Sequence, residues 1–146
     1  MKDFFTIESH TADLQINIYA STLPELFEHS VIAMFQSIKP EAPGCKIVDE
    51  LLICEKLPNT QVVDVTAHNV ELLLVDFLSQ ALYLSDVYNE AYLSAEVHKF
   101  SDTQVQATLK GVSVNRFGTE IKAVTYHNLS IVQRDGKWQA TIVFDI

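Results

Sequence analysis

The chain has 146 residues, 48% of them hydrophobic, and that apolar content excludes a disordered chain and suits one domain, 1–146. Ten Lys and Arg against nineteen Asp and Glu give a net charge of −9, which argues against direct nucleic-acid binding and favours cations or basic protein surfaces as partners. No leader-like or membrane-length apolar run occurs, so a cytoplasmic location without membrane contact is expected.

Residues 2–8 and 13–20 read as two strands joined at "SHTAD". In the second, Leu14, Ile16, Ile18 and Ala20 alternate with Asp13, Gln15, Asn17 and Tyr19, which makes one apolar and one polar face. Thr22 and Glu25 form a T-x-x-E capping box with Pro24 in the first turn. Leu23, Leu26, Phe27, Val31, Met34, Phe35 and Ile38 supply the apolar stripe of a first helix, which "KPEAPG" ends. Residues 46–56 and 61–67 read as a strand pair around "LPNT". Residues 68–89 read as a second helix capped by Asn69. It is apolar nearly all round and expected to be deeply buried, with Asp76 as a structural carboxylate.

Strands are expected at 91–100, 103–114, 121–134 and 137–146, with a turn at 101–102, a polar loop at 113–120 and a hairpin turn at Asp135-Gly136. The order β-β-α-β-β-α-β-β-β-β indicates an α+β fold, two helices packed on a mainly antiparallel sheet. Cys45 and Cys54 lack metal spacing and are expected to be reduced thiols.

A two-residue turn at Asp135-Gly136 places Trp138, Ala140, Ile142 and Phe144 opposite Gln133, Ile131, Leu129 and His127 on the core face. The wetter face then pairs Asp145 with Tyr126, and Lys122 shares its side. His127 is expected to be a hydrogen-bonded structural histidine opposite Phe144. The carboxylate at Ile146 lies next to Asp145, and Asp13 sits on the polar side of its own strand. Brought together, these three oxygen donors suit a hard divalent cation; apart, they are solvated surface groups.

His10 with nearby hydroxyls superficially suggests a triad, but there is no G-x-S-x-G elbow, P-loop, GxGxxG or HExxH. The histidines at 10, 29, 68, 98 and 127 show no metal spacing, and His29 and His98 read as ordinary surface residues. His10 and Thr11 are read as shaping the bend that orients Asp13.

"HTAD" (10–13), "LLLVDFLSQALYL" (72–84) and "EIKAVTYHNLSIVQRDGKWQATIVFDI" (120–146), together with the capping-box helix, resemble the archease family over almost the whole chain. The resemblance implies two strand–helix–strand–strand modules and no enzymatic activity. It implies an accessory role for the GTP-dependent RNA ligase RtcB, which joins a 3′-phosphate or 2′,3′-cyclic phosphate end to a 5′-hydroxyl in tRNA splicing or RNA repair. That role is promotion of ligase guanylylation and of multiple turnover. The resemblance further implies a divalent-cation site, Ca²⁺ with Mg²⁺ or Mn²⁺ as alternatives, at Asp13, Asp145 and the carboxylate of Ile146. Lys122 of "KAVTYH" is implied in activation, with His10, Tyr126 and His127 as further partner-facing candidates.

The chain departs from the family pattern in two places. Arg116 and Phe117 stand in a loop that usually carries a D-x-x-x-H stretch, and Ser9 stands where an acidic residue is common, with Glu8 beside it. A metal-dependent phosphoester hydrolase and a general chaperone or adaptor are the alternatives from other functional classes. A monomer or weak oligomer is expected.

Overall fold

A short 3-10 turn at Lys2–Phe4 leads into β1 (Phe5–Ser9), and β2 (Asp13–Ala20) follows with Leu14, Ile16, Ile18 and Ala20 buried, as their alternation requires. The computed structural model describes residues 2–9 and 12–146. The helix α1 (Leu23–Ser37) starts at the capping box: Glu25 N–H donates to Thr22 Oγ1 at 3.2 Å, and Glu25 Oε1 accepts from Ser21 N–H at 2.9 Å. Three short strands come next, β3 (Pro40–Glu41), β4 (Cys45–Val48) and β5 (Leu51–Cys54), and then the longer β6 (Asn59–Thr66). The second helix, α2 (Val70–Tyr88), is capped by Asn69, whose Oδ1 accepts from Leu72 N–H at 2.9 Å. β7 (Glu90–Ser101), β8 (Gln104–Ser113), β9 (Arg116–Phe117), β10 (Ala123–Arg134) and β11 (Lys137–Asp145) complete the chain.

The main sheets run β1-β2-β11-β10 and β6-β8-β7, with every neighbour antiparallel. Setting β1 aside, the two follow one path: strand, helix, then two strands, the last of which pairs with the first. β6-α2-β7-β8 is one such module, and it is inserted within the other, β2-α1-β10-β11. The two modules are therefore nested. Their helices pack reciprocally, α1 on β2 and β7, α2 on β6 and β10, so each helix covers strands of both sheets. One core results, in which Phe27, Phe35, Phe77, Tyr92 and Phe144 are fully buried. No helix among the described residues is long and apolar enough to cross a membrane.

Several expectations are corrected by packing. Residues 46–56 do not form one strand paired with 61–67: β4 and β5 fold on each other as a hairpin, and β6 pairs with β8. That hairpin sets Cys45 opposite Cys54, and the two are joined as a disulfide instead of standing as thiols. The second helix is buried on one face only, because its outer side finds no layer to cover it. Tyr83, Val87 and Tyr88 are exposed there, and Asp76 is also exposed. The polar loop at 113–120 contains β9, which pairs with β3 and places Phe117 against the core. His29 is half-buried, its Nδ1 2.8 Å from Tyr19 O and its ring 4.4 Å from that of Phe4.

Two buried polar groups tie elements together. Tyr92 O–H donates to Glu90 Oε1 at 2.8 Å, and Gln61 Nε2 donates to the same oxygen at 2.9 Å. Burial, followed by the bond to Glu90, raises the Tyr92 phenol well above its ordinary range, so it stays a neutral donor. Gln36 acts as a substitute strand for β5: its Nε2 donates to Leu52 O at 3.0 Å, and its Oε1 accepts from Leu52 N–H at 2.9 Å. Gln36→Leu leaves both backbone groups of the buried Leu52 unpaired, at an expected cost of about 2–4 kcal/mol in urea denaturation. A loss below about 1 kcal/mol would show that other partners replace the amide.

Candidate functional site: an acidic tip where the two ends of a sheet meet

Asp13 opens β2 and Asp145 closes β11, and the antiparallel pairing of these strands sets them directly opposite each other. The register has a clear cause. Ile16 faces Ile142, Ile18 faces Ala140 and Leu14 faces Phe144, so the apolar residues of both strands enter the core together. A slip of one residue would expose one of those rows, and the aspartates are therefore aligned by the burial of their neighbours. The end of the chain is anchored on both sides: Ile146 N–H donates to Ala12 O at 3.3 Å, and Lys122 N–H donates to Asp145 O at 2.7 Å.

Side chains directly opposite on antiparallel strands have Cβ atoms about 4.5–5.5 Å apart, and like charges so placed repel. Asp13 is half-buried and Asp145 exposed. Among the described residues, neither carboxylate has a hydrogen-bond or ion-pair partner. Glu8 is one row further along, where its Oε2 accepts from Gln15 Nε2 at 2.6 Å. Among the described residues no three His, Cys, Asp or Glu side chains gather in a way that could hold a metal. The groups at the tip that could hold a cation are the Asp13 and Asp145 carboxylates, with the oxygens of Ile146 beside them. That donor set is all oxygen, which fits Ca²⁺, Mg²⁺ or Mn²⁺ and not a soft metal.

The other expected site residues are placed differently. β10 follows the anticipated register against β11 from Arg134–Lys137 to Ser130–Thr141, but beyond that the pairing shifts, and Thr125 faces Val143. Asn128 takes a left-handed φ of 55° in the shifted stretch, a conformation asparagine tolerates. Thr125 secures it, its Oγ1 donating to Val143 O at 2.9 Å and accepting from His127 N–H at 3.3 Å. Asp145 thus faces Ala123 instead of Tyr126, and Phe144 faces Val124 instead of His127. His127 is exposed and is not a core histidine.

Tyr126, 60% exposed, lines a cleft of about 350 Å³ with Thr66, Ala67, His68, Leu72 and Asp76. Lys122 keeps its place at the tip through its backbone bond, with its side chain exposed. His10 and Thr11 lie outside the described residues. Sequence reasoning missed Ala12, whose role is carried by a carbonyl and leaves no mark in residue type. It also missed Thr125, which Asn128 signals only as a candidate bulge.

Residues 5–146 match the Archease protein family (MTH1598/TM1083). The protein archease of Methanosarcina mazei is 32% identical over 146 residues, spanning 94% of this chain and 92% of its own. That of Pyrococcus abyssi is 29% identical over 153 residues, with 94% of each chain covered. The solution structure of Methanobacterium thermoautotrophicum protein 1598 superposes with a TM-score of 0.68 at 23% identity, covering 98% of this chain and 99% of that one. A 2.0 Å crystal structure from Thermotoga maritima, of "an archease, possible chaperone", gives a TM-score of 0.62 at 18% identity, covering 95% and 94%. At these identities the two structures support the fold, and their α+β architecture is the one described above.

Proposed function

The chain belongs to the archease family, and from that premise we propose that it is a non-enzymatic activator of a GTP-dependent RNA ligase. In this reading the acidic tip docks at the ligase active site, promotes guanylylation of the ligase histidine and allows repeated turnover on 3′-phosphate or 2′,3′-cyclic phosphate and 5′-hydroxyl ends. The observation that carries the reading is the opposition of Asp13 and Asp145 across β2 and β11, beside Ile146. Two like charges facing each other repel, and a cation bound between them would relieve that repulsion.

Asp13, Asp145 and the Ile146 carboxylate would hold a divalent cation, which when bound supplies positive charge to offset that of phosphate groups during nucleotidyl transfer. The chain's own part is positional. The antiparallel register fixes the carboxylates, and the backbone bond to Asp145 brings Lys122 to the same end, where its exposed ammonium can meet an anionic group of the partner. A net charge of −9 supports a basic, RNA-binding partner over RNA itself.

The test is ligation by purified ligase with RNA ends in excess, with and without this protein. Addition is expected to carry the reaction well beyond one product per ligase. Equal turnover in both reactions would remove the proposal. Release of phosphate by this protein alone would favour a hydrolase.

A further inference from the structure

We propose that the Cys45–Cys54 disulfide is a reversible redox site, opened by a dithiol reductant, and that its state sets whether the β4–β5 hairpin stays docked on α1. This inference is independent of the acidic tip and rests on how the hairpin is attached. β4 and β5 pair only with each other among the described strands. Their hold on the body includes the burial of Leu51 and Leu52 and the paired hydrogen bonds between Gln36 and Leu52. The remaining large apolar side chains face outward, Ile47 at 65% exposure, with Val48 and Ile53 also exposed. A two-stranded hairpin is marginal on its own. Here the turn adds a cost, because Asp49 and Glu50 take φ values of 51° and 69°, a left-handed region that side chains disfavour. The covalent link across the open end, where the two Cα atoms are 4.4 Å apart, is the element that offsets these weaknesses.

The bond is also reachable. Cys45 and Cys54 are both half-buried and line an open cleft of about 370 Å³ together with Pro43, Gly44, Lys56 and Asn59. Exchange requires an attacking thiolate to reach a disulfide sulfur. The cleft, which Glu55 and Lys56 also line, provides the path. In the reaction one thiolate of the reductant attacks a cysteine Sγ, the S–S bond breaks, and the other cysteine leaves as a thiolate. The second thiol of the reductant then displaces the first cysteine from the mixed disulfide. Two electrons and two protons pass to the protein, which gains two thiols, and the reductant becomes a disulfide.

The test uses the full chain and dithiothreitol without denaturant. Alkylation and intact mass are expected to show two new thiols per chain. Hydrogen exchange is expected to become about tenfold faster across residues 45–54, while residues 59–66 and 104–113 stay unchanged. The double variant Cys45→Ser, Cys54→Ser should exchange like the reduced protein whether or not reductant is present. A bond that resists dithiothreitol until the chain is unfolded would make it a permanent staple and overturn the proposal. Reduction that leaves exchange at 45–54 unchanged would overturn it equally.

Discussion

Replacing Gly111 with alanine is expected to lower the denaturant midpoint sharply, so that the variant unfolds at denaturant concentrations where the wild type is still folded. Gly111 lies in the central strand β8, facing Asn59 of β6 on one side and Tyr92 of β7 on the other. A Cβ added there would sit 1.9 Å from Ala91 O, 2.8 Å from Ala91 C and 3.0 Å from Tyr92 Cα. All three are backbone atoms, so no change of side-chain rotamer relieves the contact. Relief requires β7 to move away from β8 at the point where its register already shifts between Tyr92 and Ser94. That movement would unseat Tyr92, which is fully buried and bonded to Glu90. The cost should be about 4 kcal/mol or more, a large part of the 5–15 kcal/mol available to a typical domain. Denaturant midpoints of wild type and Gly111→Ala measure it directly. A variant within about 1 kcal/mol of wild type would mean the strands separate there at little cost.

Asp13→Asn and Asp145→Asn are expected to abolish ligase stimulation while leaving the fold intact. Each keeps the shape of the side chain and removes one of two charges held opposite each other. In the absence of divalent cations the variants should be as stable as wild type or more stable by up to about 1 kcal/mol, because a repulsion is lost. With cation the order should reverse. At a cation concentration one hundred times its Kd, wild type gains about 2.7 kcal/mol by mass action. The variants should gain little, and so should a chain extended beyond Ile146, in which an amide replaces the third carboxylate. Thermal unfolding with and without Ca²⁺, Mg²⁺ or Mn²⁺ reads the first effect, and multiple-turnover ligation reads the second. Asparagine variants that stimulate as well as wild type would sink the site assignment even if the activator role stands. An inactive wild type would sink the role itself.

The parts of this molecule that could be read from residue types are those governed by interactions over a few positions. Thr22 and Asn69 accept from the backbone N–H groups three residues on, so both helix starts were legible. The alternation in β2 and β11 gave the face of every residue in those strands, and Asp135-Gly136 gave the turn that begins the last hairpin. The last hairpin also shows where that legibility stops. Its register was readable as far as Ser130–Thr141, and then Asn128 and the side chain of Thr125 re-aim the strand. Three extra residues in β10 between Thr125 and Ser130 leave the alternation of β11 untouched, so pattern alone gave no warning. An unshifted register would put His127 in the core and Tyr126 at the tip.

The sequence by itself determined the helices, the faces of β2 and β11, the α+β class and the carboxylates worth watching. Each depends on side-chain periodicity or on a cap contained within a short segment. Tertiary structure alone decided that one module is nested inside the other, that α2 leaves Tyr83, Val87 and Tyr88 in solvent, and that Cys45 and Cys54 meet across a hairpin. It also decided that Asp13 and Asp145, from opposite ends of the chain, face each other. Local sterics and hydrogen bonds carry no information over such separations. The pairing is selected because only that register lets both strands bury their apolar rows in one shared core, and the charged residues at the strand ends are carried to the same place.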